Sequence, residues 1–424
     1  MSATDPHPAA HLTIEAIWRI ESARVIAGLT RLTRDVGLAE DLAQEALLAA
    51  LEQWPQSGVP ENPGAWLTAT AKRRAIDLFR HNTVAERKHQ YLARDLAILE
   101  QTVPDLTSNL DDPVGDDLLR LVFISCHPIL SAESRAALTL RLLGGLTTPE
   151  IARAFLTPEP TIAQRIVRAK RILAEKHIPF EVPRGPELAA RLSSVLEVIY
   201  LIFNEGYSAT AGDDLIRPTL CGDALRLGRI LAELTPNEPE VHGLVALMEI
   251  QASRTRARIS PTGEPILLLE QSRVHWDLLL IHRGLAAIDR AHTMGKPRGP
   301  YLLQAEIAAC HARARTPEET DWRRIVFLYT ELVHLTPSPV IELNRAVAVS
   351  MVDGPQAALD LVEALATDPA LDHYHLLPGV RADLLLKLNR PTEARRHFKH
   401  AAALTQNTRE RALLLSRADA CRTE

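Results

Sequence analysis

The sequence predicts an all-α protein in three parts: a helical bundle over residues 12–90, a helix-turn-helix over 114–178 and a repeat-like helical array over 188–424. Composition points there first, because 46% of residues are apolar, only 4% are aromatic, and Ala, Leu and Arg dominate, as in packed helices. Periodicity agrees: apolar residues recur at three and four along most of the chain. The third observation is an internal echo, Asp353-Gly354-Pro355-Gln356-Ala357-Ala358-Leu359 against Asn389-Arg390-Pro391-Thr392-Glu393-Ala394-Arg395, offset by 36 residues. A chain of 424 residues also exceeds one ordinary core.

Met1 to His11 carries Asp, His and two prolines instead of a basic region and an apolar core, so it reads as a disordered tail and not as a secretory signal. From Leu12 the helical period sets in, with Ile14, Ile17 and Trp18, then Leu42, Ala46, Leu47, Ala50 and Leu51. Trp54 to Pro60 reads as an exposed loop, after which Asn62 caps a helix whose first position is Pro63. That helix bears a basic cluster, Lys72, Arg73, Arg74, Arg80 and His81, continued by Arg87 and Lys88. Residues 91–113 form a linker, the pattern dissolving fully between Gln101 and Pro113, and Asp116 opens the next helical run. Fully extended, its last thirteen residues span about 40 Å, enough to place two modules at separate points of one partner.

Gly145 to Phe155, a short turn, and Thr161 to Arg171 read as a helix-turn-helix. Thr147 with Glu150 makes a capping box for the first helix, and Thr157 before Pro158 starts the second. On that second helix Ile162, Ile166, Ala169 and Leu173 fall on one face, while Thr161, Gln164, Arg165 and Arg168 project from the other. Arg pairs with guanine and Gln with adenine in a major groove, and Lys170 and Arg171 suit phosphate contacts.

A second linker, residues 179–187, precedes the long helical tail. The dipeptide Leu-Thr recurs there at Leu234, Leu335 and Leu404, separated by close to three and two periods of about 34 residues. This tetratricopeptide-like rhythm implies stacked helix pairs with a concave surface; it is hard to follow between Thr255 and Asp277. Gly206, after the apolar run Leu196 to Phe203, reads as a helix C-cap.

Several function classes find no support. The net charge of −5 gives no global reason to expect nucleic acid, so that argument rests on the local basic clusters. Cys126, Cys221, Cys310 and Cys421 lie far apart without a C-x-x-C pair, which fits a reducing cytoplasm, and no stretch approaches the roughly 20 apolar residues of a membrane span. His373 and His375 would point to different sides of a helix, and no phosphate-binding glycine loop, nucleophile motif, metal set or cofactor site is found, so the chain does not read as an enzyme. Trp54 and Trp66 suit a core before a stacking platform.

Ala39-Glu40-Asp41-Leu42-Ala43-Gln44-Glu45-Ala46-Leu47-Leu48, Asn62-Pro63-Gly64-Ala65-Trp66-Leu67 and Ala75-Ile76-Asp77-Leu78-Phe79-Arg80 closely resemble region 2 of extracytoplasmic-function sigma factors. The helix-turn-helix is similar to their region 4, and the resemblance covers roughly Leu12 to Ile178. It implies that Asp41, Gln44, Glu45 and Leu48 dock on core RNA polymerase. It further implies that Trp66, Lys72, Arg73, Arg74, Asp77 and Arg80 hold the promoter element nearest the start site, where capturing an unstacked base offsets melting. Thr161, Gln164, Arg165, Arg168, Lys170 and Arg171 would hold the distal promoter element. Arg73 stands where many relatives carry Asn, Pro158 and Pro160 replace the usual Ser and Gly, and Ala163 replaces a common Lys, so the resemblance yields no promoter consensus.

The tail resembles the tetratricopeptide-like extension of one subgroup that has no obvious dedicated anti-sigma partner. Asn204, Glu205, Gly206 and Tyr207 look like a subgroup signature and are regulatory candidates, with the extension expected to contact the two sigma modules. The rival reading is a helix-turn-helix regulator or scaffold whose repeats bind a peptide or small ligand without polymerase. The Asp41 to Leu48 segment separates the two, since a repressor has no use for a polymerase-docking helix.

Overall fold

The structure, a computed structural model, describes residues 8–85, 113–155, 157–209 and 211–421. They form two compact units, residues 8–153 with 157–198, and residues 199–421 with 154–155.

The first unit begins with α1 (Pro8–Thr33), α2 (Val36–Ser57) and α3 (Pro63–Ala85), which pack pairwise around Ile14, Trp18, Ile26, Leu29, Leu42, Ala46, Leu67 and Ala71. α1 starts inside the segment expected to be disordered, since the sequence from Pro8 already favours a helix with proline in its first turn. Asp35 caps α2 by accepting from the Gly37 and Leu38 amides at 2.7 and 3.1 Å. Asn62 caps α3 through the Ala65 amide at 3.0 Å, as the sequence predicts.

The expected loop from Trp54 to Pro60 is shorter than its composition suggests. α2 continues through Pro55 to Ser57 and stops only at Gly58, whose φ of +83° is a glycine conformation. Trp54 is buried against the Trp66 ring, edge to face at 5.2 Å, and that contact holds the last turn of α2 in place despite the proline.

α4 (Pro113–Ser125) opens three residues before the predicted Asp116 and packs on α1, and α5 (Ala132–Leu142) follows behind a Ser131 cap. α6 (Thr148–Ala154) and α7 (Glu159–Glu175) are the two helices of the helix-turn-helix. The capping box is present: the Thr147 amide donates to Glu150 Oε2 at 2.8 Å and the Glu150 amide to Thr147 Oγ1 at 3.4 Å. Thr157 is not the cap of α7; Pro158 occupies that position without a side-chain cap, its φ of −54° already suiting a helix start.

α8 (Pro186–Tyr207) belongs to both units. Its first half is held to the helix-turn-helix module: Arg191 donates to the Phe123 carbonyl at 2.8 Å, Ser194 to the Cys126 carbonyl at 2.7 Å, and buried Arg135 meets Glu197 at 3.1 Å.

The second unit is a sequential stack: α9 (Pro218–Leu234), α10 (Pro239–Ala252), α11 (Leu278–Thr293), α12 (Pro300–Arg313), α13 (Trp322–Leu335), α14 (Pro339–Val352), α15 (Pro355–Leu365), α16 (Leu376–Lys387), α17 (Pro391–Leu404) and α18 (Thr408–Ala420), each packed on the next. The sequence echoes are helix boundaries. Pro355 and Pro391 open α15 and α17, and Leu234, Leu335 and Leu404 end their helices with a threonine at each C-cap. Where the period fails, residues 255–257, 268–270 and 273–275 form single 3₁₀ turns. His373 and His375 lie in the turn ahead of α16, not on a helix.

The stack is also clipped end to end. β1 (Ala211–Gly212) pairs in parallel with β2 (Gln406–Asn407), and fully buried Asn407 donates to the Ala209 and Asp214 carbonyls at 3.1 and 3.0 Å. Among the described residues no helix is long and apolar enough to cross a membrane.

Candidate nucleic-acid interface

α7 divides as its sequence requires. Ile162, Ile166, Ala169 and Leu173 are buried, recurring at four and three, whereas Gln164, Arg168 and Arg171 are exposed and Thr161 and Arg165 half-buried. Thr161, Gln164, Arg165 and Arg168 line a groove of about 390 Å³ whose other wall is Ser131 and Ser134 at the start of α5. Backbone and Ser131 hydrogen bonds at that helix start hold the Glu133 carboxyl below its usual range, and Arg165 adds to the pull. The outward face thus carries one amide and two guanidinium side chains at the spacing of successive turns, the chemistry that reads base edges and grips phosphates.

Lys170 is different. Its ammonium is turned toward α2 and pairs with Glu40, and it lies 3.8 Å from Asp41 Oδ1. Glu40 is 3% exposed, and its other oxygen accepts from Arg141 Nε of α5 at 2.6 Å. A buried carboxylate is costly unless charged donors surround it, and here two cations from the helix-turn-helix module do so. Neither Glu40 nor Arg141 emerges as a site residue from the motifs. The signal was present, since Val36, Ala39, Glu40 and Ala43 share one buried face and an acid on such a face requires a partner. Two further pairs join α1 to the same module, Arg19 with Glu150 and Arg31 with Asp117 at 3.2 Å.

On α2, Asp41, Glu45 and Leu48 are exposed and Gln44 half-buried, a stripe at three and four along the helix. Leu48 is 59% exposed, an apolar side chain presented to solvent beside acids. On α3, Lys72, Arg73, Asp77 and Arg80 are exposed, with Arg73, Asp77 and Arg80 on one face. Trp66 and Arg74 are half-buried, and Arg74 reaches Glu45 at 2.8 Å in an exposed pair worth little. Arg87 and Lys88 lie outside the described residues.

The four residues singled out after the apolar run have packing explanations. Glu205 pairs with Arg217, and Asn204 accepts the Ser208 amide at 2.8 Å through its carbonyl. Gly206 is not a C-cap; it lies inside α8, where a Cβ would stand 2.7 Å from the Cys221 backbone nitrogen, and its carbonyl accepts the Arg217 amide at 2.7 Å. Tyr207 stacks on Phe203 with ring centroids 5.6 Å apart.

Comparison with known families matches this geometry in order. Residues 19–84 match sigma-70 region 2 and residues 120–173 match sigma-70 region 4, while residues 191–292 match a family of unknown function, DUF6596. The fold and its helix-turn-helix are therefore those of a sigma-70-type transcription initiation factor. An uncharacterised protein of Rhizobium meliloti (strain 1021) is 43% identical over 399 residues, 93% of each chain. The ECF RNA polymerase sigma factor SigL of Mycobacterium tuberculosis is 31% identical over 144 residues, 34% of this chain and 76% of that one. SigK of Mycobacterium sp. (strain KMS) is 28% identical over 156 residues, 36% and 76% respectively. The chain belongs to the extracytoplasmic-function sigma factors and carries a C-terminal extension behind its two sigma regions.

Proposed function

We propose that the chain docks on core RNA polymerase through Asp41, Gln44, Glu45 and Leu48, and grips promoter DNA at two places. The start-proximal element meets Trp66, Lys72, Arg73, Arg74, Asp77 and Arg80 on α3; the distal element meets Thr161, Gln164, Arg165, Arg168, Lys170 and Arg171 on α7. The observation that carries this reading is the division of α7 into a buried aliphatic face and an outward face bearing Thr161, Gln164, Arg165 and Arg168. The extension then controls initiation.

The state described is a closed one in this reading. Lys170 is held by Glu40 on the docking helix, so its contact with a phosphate requires that pair to open. A shift of a few kcal/mol between closed and open forms is enough to set the active fraction.

Run-off transcription with bacterial core polymerase, on a template carrying the promoter of the protein's own gene and on a pool of genomic fragments, tests the assignment. A specific start appears with the full chain and disappears with Arg165→Glu, which leaves unfolding within about 0.5 kcal/mol of the parent. No start on either template, together with no capture of core polymerase, removes the sigma assignment for these residues and favours a regulator that works without polymerase. For the extension, truncation belongs after Val198, not at the start of α8, because Arg191 and Ser194 hold the helix-turn-helix module. Equal initiation by the truncated and full chains would remove the extension from control.

A further inference from the structure

The second unit contains a cavity of about 380 Å³, a volume typical of small-molecule sites. Leu215, Ile266, Leu268, Val380, Leu413 and Leu414 supply an aliphatic wall, and the chain segments that meet there come from both ends of the stack and from the irregular stretch after α10. Two arginines, Arg254 and Arg258, supply the polar wall with Tyr207 and Gln271.

The charges in this wall do not balance pairwise. Arg417 is taken by Asp383 at 3.2 Å, and His375 faces Glu410 at 3.2 Å. Arg254 and Arg258 have only neutral acceptors: Arg254 donates to the Tyr207 hydroxyl at 2.8 Å, and Arg258 to the Tyr207 carbonyl while its guanidinium lies 3.7 Å from the centre of that ring. Among the described residues neither has a carboxylate at ion-pair distance. Arg273 stands close behind, sharing the Trp276 ring with Arg254 at 4.6 and 5.8 Å from its centre. Burial pushes the Arg258 guanidinium below its usual range and Arg254 adds to the fall, while Tyr207, Cys221 and, beyond ion-pair distance, the Glu410 carboxylate of the same wall pull the other way.

Among the described residues, polar atoms of this wall are also without hydrogen-bond partners. Arg254 Nε is buried and unbonded, and Gln271, 6% exposed, uses its amide nitrogen on the Ile266 carbonyl at 3.1 Å and leaves its oxygen unbonded. Half-buried guanidinium groups with no carboxylate at ion-pair distance, and a buried amide oxygen without a donor, are costly unless something else satisfies them. Arginine's planar fork matches a carboxylate.

We propose that this cavity binds a small aliphatic carboxylate, its head held by Arg254 and Arg258, its chain lying along the leucine, isoleucine and valine side chains, and a hydroxyl on it donating to Gln271. The site lies within the second unit and does not rest on the reading of the extension as a control element, because binding is measured without polymerase.

Thermal unfolding and titration calorimetry of the full chain test it with octanoate, 3-hydroxyoctanoate and 1-octanol, against sodium chloride at equal ionic strength. Both carboxylates raise the unfolding midpoint saturably, 3-hydroxyoctanoate the more tightly, and 1-octanol does not. Arg254→Gln and Arg258→Gln each weaken octanoate at least tenfold, and Gln271→Leu abolishes the preference for the hydroxylated acid. Arg254→Lys, which keeps the charge and loses the fork, weakens it by an intermediate factor and guards against a folding defect in the glutamine variants. If neither carboxylate exceeds 1-octanol or chloride, or if folded Arg254→Gln and Arg258→Gln bind as the parent does, the cavity is not an anion site.

Discussion

Charge is drawn out of solvent in both units, fully at Glu40 and by half at Arg254 and Arg258, and the two units treat it in opposite ways. In the first, the Glu40 carboxylate is enclosed by Lys170 and Arg141, so an acid from one sigma module is matched by cations from the other. In the second, Arg254 and Arg258 are turned into a cavity against a tyrosine and find no acid at ion-pair distance among the described residues. Matched charge fixes a register between elements; unmatched charge is a cost that the rest of the unit carries for the sake of binding. The contrast separates groups whose removal hurts the fold from groups whose removal hurts only function.

Its largest expected consequence lies at Glu40. Glu40→Gln leaves two partly buried cations facing an uncharged amide, and urea unfolding is expected to show a loss of about 3 kcal/mol. Replacing all three together, Glu40→Leu with Lys170→Met and Arg141→Met, recovers most of that, because hydrophobic groups of similar size need no compensation. A change under about 0.5 kcal/mol for the single variant would mean that the pair is decorative, and the comparison fails on that side.

Acid should act next, and most strongly on the other unit. His311 is buried beside the cationic cluster, edge-on to Trp322 at 5.2 Å, and burial lowers its pKa to about 4, with Arg254 and Arg273 adding repulsion. The folded pKa lies below the unfolded value of about 6.5. Full stability is therefore present above pH 6.5 and is lost as pH falls toward the folded pKa, because the unfolded chain takes up the proton first. Between pH 7 and pH 5 the expected loss from His311 is about 2 kcal/mol, visible as a falling unfolding midpoint, and His311→Phe reduces that slope, leaving the part due to His127 of the first unit, whose pKa burial also lowers to about 4. An unchanged slope in that variant would place the acid sensitivity elsewhere.

Arg254 gives the smallest effect and the sharpest contrast with Glu40. Arg254→Met removes one hydrogen bond to Tyr207 but relieves repulsion from Arg258 and Arg273, so its unfolding free energy should stay within about 1 kcal/mol of the parent. A loss near that of Glu40→Gln would show the arginine to be structural and would erase the difference between the units.

How much of this was legible in advance depends on the range of the interactions. The faces of α7, the Thr147–Glu150 box and the Asn62 cap are local and could be read directly from spacing, whereas the Leu-Thr dipeptides, legible as a period, show themselves as helix ends only in the structure. Failures came where a distant contact overrides local chemistry. Trp54 and Pro55 look like a loop until Trp66 packs on the tryptophan, and Gly206 looks like a cap until the Cys221 backbone is found beside it. The Glu40 pairing was half legible, the acid on a buried face being visible and its partner 101 and more positions away not. The cavity was marked only by the loss of period after Thr255, a sign that something other than stacking shapes that stretch.

The short β1–β2 pairing carries a further consequence. An open array of helix pairs loses structure from its ends, since a terminal pair has a neighbour on one side only. Here Asn407 is bonded to Ala209, 198 positions earlier, so neither terminus of the array can peel away without breaking the clasp and releasing the other. The two extremities then share one opening equilibrium, and amide hydrogens in α9 and α18 should exchange at similar rates instead of forming a gradient toward the middle.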